Sequence, residues 1–290
     1  MGPYATSSMP MPPMRSLRGL SVALLVLFVL IALVDVVGAG ALFNRASILD
    51  DFANGQFPSF SEVDDADSTV AAALGLHLVL VVALAAVFIT WQWRHAKNAE
   101  VLGARGGLGP GWAIGGWLIP LANFVLPATQ LFQSSKASDL QARQQGRPSK
   151  GAGIIIAWAI VLGISAILFV VGGGLAPSDD QGNLQIESVS DIETAASGDR
   201  TAGVALVAYV AAAVVAAVMV RILTRRQTNA YAAVAATAGL PAPPAAPGSV
   251  RGTPPPPPAA PVPPPPPAGP SVPPPPGVPP EAPGWAAPPS

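Results

Sequence analysis

Two ionisable residues, Asp35 and His77, each stand alone in a long apolar run that holds no other charge-bearing group. A carboxylate and an imidazole in such surroundings can relay a proton, hold a cation, or join two helices by a hydrogen bond. The first run has its midpoint near Ile31 and the second near Val81, so Asp35 lies four residues beyond one and His77 four residues before the other. In adjacent antiparallel helices both would sit about 6 Å to the same side of the bilayer centre, and a contact is expected because an unpaired ionisable group in hydrocarbon is costly. A structural hydrogen bond is the ordinary use of such a pair, a proton relay or ion site the functional one. The other histidine, His95, follows the second run in WQWRHAKNAE and is expected to be solvated or to face lipid headgroups.

No other arrangement carries recognisable chemistry. Asp65-Ala66-Asp67-Ser68-Thr69 opens like a calcium loop but lacks the glycine and the closing glutamate such a loop requires, so the doublets Asp50-Asp51, Asp64-Asp65 and Asp179-Asp180 are expected to be solvated. The glycine-rich stretch Gly103 to Gly111 has no Lys-Ser/Thr after it and is expected to be a hinge rather than a phosphate cradle. Nucleophile triads and HExxH pairs do not occur, and with no cysteine in the chain thiolate chemistry is excluded. The expectation is a non-enzymatic protein without catalytic residues, cofactor or metal.

The elements that would position Asp35 and His77 follow from composition. Hydrophobic residues make up 51% of the chain and charged ones 11%, a balance suited to a membrane protein. Four stretches, about 20–42, 70–92, 152–175 and 203–223, reach the roughly 20 apolar residues a helix needs to span the hydrocarbon. The fold class expected is all-α, a polytopic four-span domain over 17–227.

Charge sorts by sign between these spans. Residues 44–69 carry six carboxylates against Arg45, and 176–202 carry six against Arg200. The remaining 13 of the 15 basic residues fall in the N-terminal arm, the middle segment 93–151 and the end of the last span with its tail. Lysine and arginine near span ends stay cytoplasmic, which places both termini and the middle segment in the cytoplasm of a plasma-membrane protein. Arginines before the first run and Ala39-Gly40-Ala41 near its end also resemble a cleaved signal, but the run is long for one and an uncleaved span is expected.

PGWAIGGWLIPLANFVLP, Pro110 to Pro127, is a fifth apolar stretch. A crossing there would divide the basic middle segment between two sides of the membrane, and Pro120, Asn123 and the Gly115-Gly116 pair all weaken a spanning helix. A re-entrant or interfacial helical element over 110–134 is expected instead, with Trp112 and Trp117 at headgroup level.

The two ends differ in kind from the middle. Residues 241–290 hold 25 prolines, a composition that favours extended polyproline II over a packed core, so 228–290 is expected to be a disordered cytoplasmic tail and 1–16 a disordered arm. The tail could dock in an aromatic-lined groove of a cytoplasmic protein or act as a plain spacer. Ser190 and Glu193 have capping-box spacing, and Ala208, Ala212 and Ala216 let another helix approach the last span closely.

One run of residues resembles a known family. Trp93-Arg94, Asn98-Ala99, Leu102-Gly103, Pro110-Gly111-Trp112-Ala113, Gly116-Trp117, Ile119-Pro120, Ala122-Asn123 and Pro127 are similar to the signature of domain of unknown function 4328, multi-pass membrane proteins found mostly in actinobacteria. The exit Arg221-Ile222-Leu223-Thr224-Arg225-Arg226-Gln227 is similar to that domain's end, and the likeness runs from about Leu74 to Gln227. It implies an integral membrane protein and no catalytic residue.

A membrane scaffold or adaptor with a partner-binding tail is therefore expected, and the competing reading is a small transporter or channel component built on the Pro120/Asn123 break. Partners would be the lipid bilayer, a cytoplasmic protein on the tail and a second copy of the chain, and not nucleic acid.

Overall fold

The computed structural model describes residues 12–120, 122–175 and 187–237, all within the first of two compact units, while the proline-rich unit lies outside the described residues. Among the described residues seven α-helices run α1 (Arg18–Ala53), α2 (Phe60–Val101), α3 (Trp112–Leu118), α4 (Leu126–Ser135), α5 (Leu140–Gln144), α6 (Ile154–Gly174) and α7 (Val189–Thr237). Four of them, α1, α2, α6 and α7, are long and apolar enough to cross a membrane.

These four form an up-down bundle in which α1 packs on α2 and α7, and α6 on α7. Val29, Leu33, Leu78, Val82, Ile160 and Ile167 point outward, as a surface facing lipid tails requires. The inward stripe of α7 shows why the sequence folds this way. Ala202, Ala205, Leu206, Ala212, Ala213, Ala216, Met219, Val220 and Leu223 recur at helical spacing, and all are buried. Its small residues let α6 approach so closely that a Cβ on Gly172 would stand 2.6 Å from the Ala202 nitrogen. Of the evenly spaced alanines, Ala212 and Ala216 lie in this seam and Ala208 is only half-buried.

The helices outrun the apolar spans. At 42 and 49 residues, α2 and α7 would measure about 63 and 74 Å, twice a hydrocarbon layer. Part of each expected acidic loop is therefore helical. Hydropathy marks where a helix meets lipid, whereas a helix ends where its backbone groups find other partners. For α2 that point is Ser59, whose hydroxyl accepts the Glu62 N–H while the Glu62 carboxylate accepts the Ser59 N–H, a capping box. The start of α7 corrects an expectation: Ser188 and Asp191 make the cap, with the Ser188 N–H donating to Asp191 at 2.8 Å, and Ser190 falls inside the first turn. At its far end α7 continues to Thr237, ten residues past the expected domain boundary at 227.

The two bases of the acidic segments are both paired. Arg45 on α1 donates to both oxygens of Asp199 on α7, at 2.7 and 2.5 Å, and to Asp67 on α2 at 3.3 Å, while Arg200 pairs with Asp50. A two-pronged guanidinium–carboxylate contact fixes geometry as well as charge, so α1, α2 and α7 are joined where they leave the bundle.

Replacing Gly172 by valine should lower stability by about 1–3 kcal/mol, because the Ala202 backbone cannot move aside. Gly173→Ala, whose new Cβ meets nothing within 4 Å, should leave the melting temperature unchanged or raise it. Thermal unfolding in detergent, followed by helical circular dichroism, separates the two.

Candidate functional site

The motif WQWRHAKNAE lies on the last three turns of α2. Trp91, Gln92, His95, Asn98 and Ala99 recur on one face of that helix and are buried, while Trp93, Arg94 and Lys97 are half-buried. His95 corrects an expectation: it is fully buried, because α2 continues past its apolar span and its inner face meets α4 and α7. Ser134 Oγ donates its proton to the Leu131 carbonyl at 3.0 Å, so it accepts from His95 Nδ1–H at 3.1 Å. His95 Nε2 is left without a partner among the described residues.

Amide side chains join the elements around it. Gln92 donates to the Pro127 carbonyl and to Gln130 Oε1, both at 2.9 Å, and accepts the Trp117 indole N–H at 3.1 Å. One side chain of α2 thereby holds both arms of the segment 112–135. Asn98 exchanges two 2.8 Å hydrogen bonds with the Arg15 backbone and donates to Gln227 Oε1 at 3.2 Å, and Gln227 donates to the His95 carbonyl at 2.9 Å. Arg94 donates to the Ser16 carbonyl at 3.1 Å, and the Arg15 guanidinium lies 4.7 Å over the Trp93 ring. The expected disordered arm is thus fastened at residues 15 and 16.

The stretch Pro110 to Pro127 is a short helical hairpin. The chain leaves α2 through Gly103 and Gly106, whose φ values of 88° and 73° favour glycine, and α3 begins after the buried Pro110 and the exposed Gly111. Trp112 is partly exposed, Gly116 packs against Leu126 and Pro127, and Pro120 lies in the turn between the arms. Asn123 sits in a 3₁₀ turn with its Oδ1 buried and unpartnered. The Leu108 N–H donates to Gln133 Oε1 at 2.7 Å, so the chain enters and leaves the hairpin at one place. With seven residues in α3 and ten in α4, neither arm approaches the length of a crossing. Asp139 then steers the chain back toward α6, accepting the backbone N–H of Lys150 at 2.8 Å and of Ala142 at 3.2 Å. Those two bonds hold its carboxyl below the ordinary value of 3.8, so the contact is made at neutral pH and is lost only as pH falls through the depressed value.

Asp35 and His77 meet. His77 Nδ1 and Asp35 Oδ1 are 2.6 Å apart, with Asp35 buried and His77 nearly so. The imidazole also stacks on Phe169, with ring centres 6.3 Å apart, and tilts against Tyr209 at 5.8 Å. Beyond the pair a cavity of about 280 Å³ extends between α1, α2, α6 and α7 to Phe88, Trp117 and Trp158. The Trp117 indole both lines this cavity and donates to Gln92, which links the amide group to the cavity.

Comparison with known families decides the relationship. The model of domain of unknown function 4328 (DUF4328) matches residues 54–225, more than half of the chain. The chain belongs to this family. The DUF4328 region starts where α1 ends, so His77 and the hairpin lie inside it and Asp35 and Arg15 outside it. It begins about 20 residues before the stretch on which the sequence resemblance rests, taking in the extension of α2 beyond its apolar span. No match was found among curated proteins or solved structures.

Sequence reasoning passed over Gln92, Gln130, Gln227, Trp158 and Tyr209 as participants. The helical spacing of Trp91, Gln92, His95 and Asn98 was the available signal for the first of them, whereas the others lie on different helices and are joined only by packing. Gln92→Leu should strand the Trp117 N–H and the Gln130 carboxamide, at a cost of about 1–3 kcal/mol. Amide exchange should then quicken in 112–135 with little change in α6, and equal protection of the hairpin in both proteins would show that Gln92 does not hold it.

Proposed function

We propose that this chain is a non-enzymatic scaffold or adaptor of the plasma membrane, with both termini in the cytoplasm and the hairpin 110–134 re-entering from that side. The observation that carries the reading is the use made of the motif's polar groups. Gln92, Asn98, Gln227 and Trp117 are consumed in binding one another and the backbone, which suits a rigid body better than a reaction centre. From that body α7 runs on to Thr237 and toward the proline-rich residues, whose composition suits capture by an aromatic-lined groove.

The membrane placement draws on charge and exposed surface. Arg94, Lys97, Arg105, Lys136 and Lys150 gather around the end of the bundle that Gln92 holds. Leu118, Ile119, Phe124 and Val125 lie exposed about the hairpin's turn, an apolar tip that suits insertion among lipid tails. A second reading, a small transporter or channel component, is favoured by the Asp35–His77 pair facing a cavity.

Single cysteines at Gln56, Glu100, Gln145 and Glu187, probed in intact cells with an impermeant maleimide, should label at Gln56 and Glu187 only. Labelling at Glu100 or Gln145 would reverse the orientation. Deleting residues 241–290 should abolish partner capture while the membrane domain stays folded. A shortened chain that retains the same partners would end the adaptor reading, and flux lost in Asp35→Asn but kept without the tail would put the second reading first.

A further inference from the structure

The cavity beside Asp35 is a built site rather than loose packing. Its polar end holds one carboxylate, whose Oδ1 is partnered by His77 and whose Oδ2 is buried with no hydrogen-bond donor among the described residues. His77 and Tyr209 are the other polar residues there, and among the described residues no lysine or arginine lines the wall. Everything else is aliphatic or aromatic, including Phe88, whose ring centre is 5.3 Å from that of Trp158 and 5.9 Å from that of Trp117. The only N–H that Trp117 could offer is already given to Gln92.

Such a space selects its occupant by charge. A buried carboxylate oxygen without a donor is costly, and an ammonium group supplies up to three donors together with the compensating charge. An anionic amphiphile would meet Asp35 with like charge, and a neutral alcohol would bring one donor and leave the charge uncompensated. From His77 to Phe88 is eleven residues of α2, about 16 Å, so a molecule with its head at Asp35 would have its body among the aromatic rings.

We propose that the cavity binds a lipophilic amine drawn from the bilayer, its ammonium on Asp35 Oδ2 and its apolar body against Phe88, Trp117 and Trp158. Binding of this kind requires neither transport nor the proline-rich tail, so it goes beyond both readings above. Trp117 and Trp158 give it an optical signal, because a nitroxide seated beside them quenches their fluorescence.

The test uses the full chain in lipid nanodiscs, titrated with the nitroxide amine amino-TEMPO and with its neutral counterpart hydroxy-TEMPO. Saturable quenching above the collisional background is expected for the amine and not for the alcohol. Asp35→Asn should weaken it by at least about tenfold, or about 1.4 kcal/mol. Ala85→Phe, on the cavity wall but apart from the Asp35–His77 hydrogen bond, should weaken it comparably by filling the space. No saturable component in the native chain would overturn the proposal, as would equal binding of the alcohol or unchanged binding in Asp35→Asn. Should Asp35→Asn fail to fold, Ala85→Phe decides: full binding in that variant places the amine elsewhere and overturns the assignment.

Discussion

A carboxamide carried out of water must find every partner within the protein, and Gln92 meets that requirement by holding two arms of a hairpin at once. Its amino group reaches the Pro127 carbonyl and Gln130, and its oxygen takes the Trp117 N–H. The His95–Ser134 hydrogen bond adds one more directional tie between α2 and α4, while Leu118, Ile119, Phe124 and Val125 face outward and apolar contact does not set orientation. Trp117 in turn lines the cavity that reaches Asp35. The position of the hairpin and the docking of the N-terminal arm therefore depend on two buried groups of amides on one face of α2, Gln92 with Gln130 and Asn98 with Gln227, in which the Gln130 amino group finds no partner among the described residues.

The bundle is held differently along its length. Within the apolar spans α1 and α7 pack small against large, Gly203 against Phe43 and Gly38 against Leu206, while the end of α6 lies backbone against backbone on Gly198 and Ala202 of α7. Where the helices run on beyond the apolar spans, charged partners take over: Arg45 joins Asp199 and Asp67, and Arg200 joins Asp50. Both arginines lie in segments otherwise rich in carboxylates, so the acidic surplus there is also what fastens α1 to α7. A side chain that looked like a lone exception to the charge pattern is thus part of the packing.

The family boundary cuts across this architecture. DUF4328 covers α2 to most of α7, yet Asp35, the carboxylate that His77 needs, comes from α1, and Asn98 is completed by the Arg15 backbone. Asp35 and Arg15 therefore supply one partner in each of these two contacts, and the cavity has no carboxylate without Asp35.

Much of this was legible from residue type and spacing. Four apolar runs of sufficient length, the sign of the charges between them, the proline in the fifth run and the equal depth of Asp35 and His77 follow from the chain alone, because crossing a fixed thickness of hydrocarbon makes helix length and residue depth a matter of counting. Counting could not show where the helices end: hydropathy is silent once a helix leaves lipid, so α2 and α7 outran their spans, and the cap of α7 moved to Ser188 and Asp191. Nor could it show the burial of His95, whose neighbours Ser134 and Gln227 stand 39 and 132 residues away. Which polar groups share a partner depends on how helices rotate and lean against one another, and only the packed bundle sets those angles.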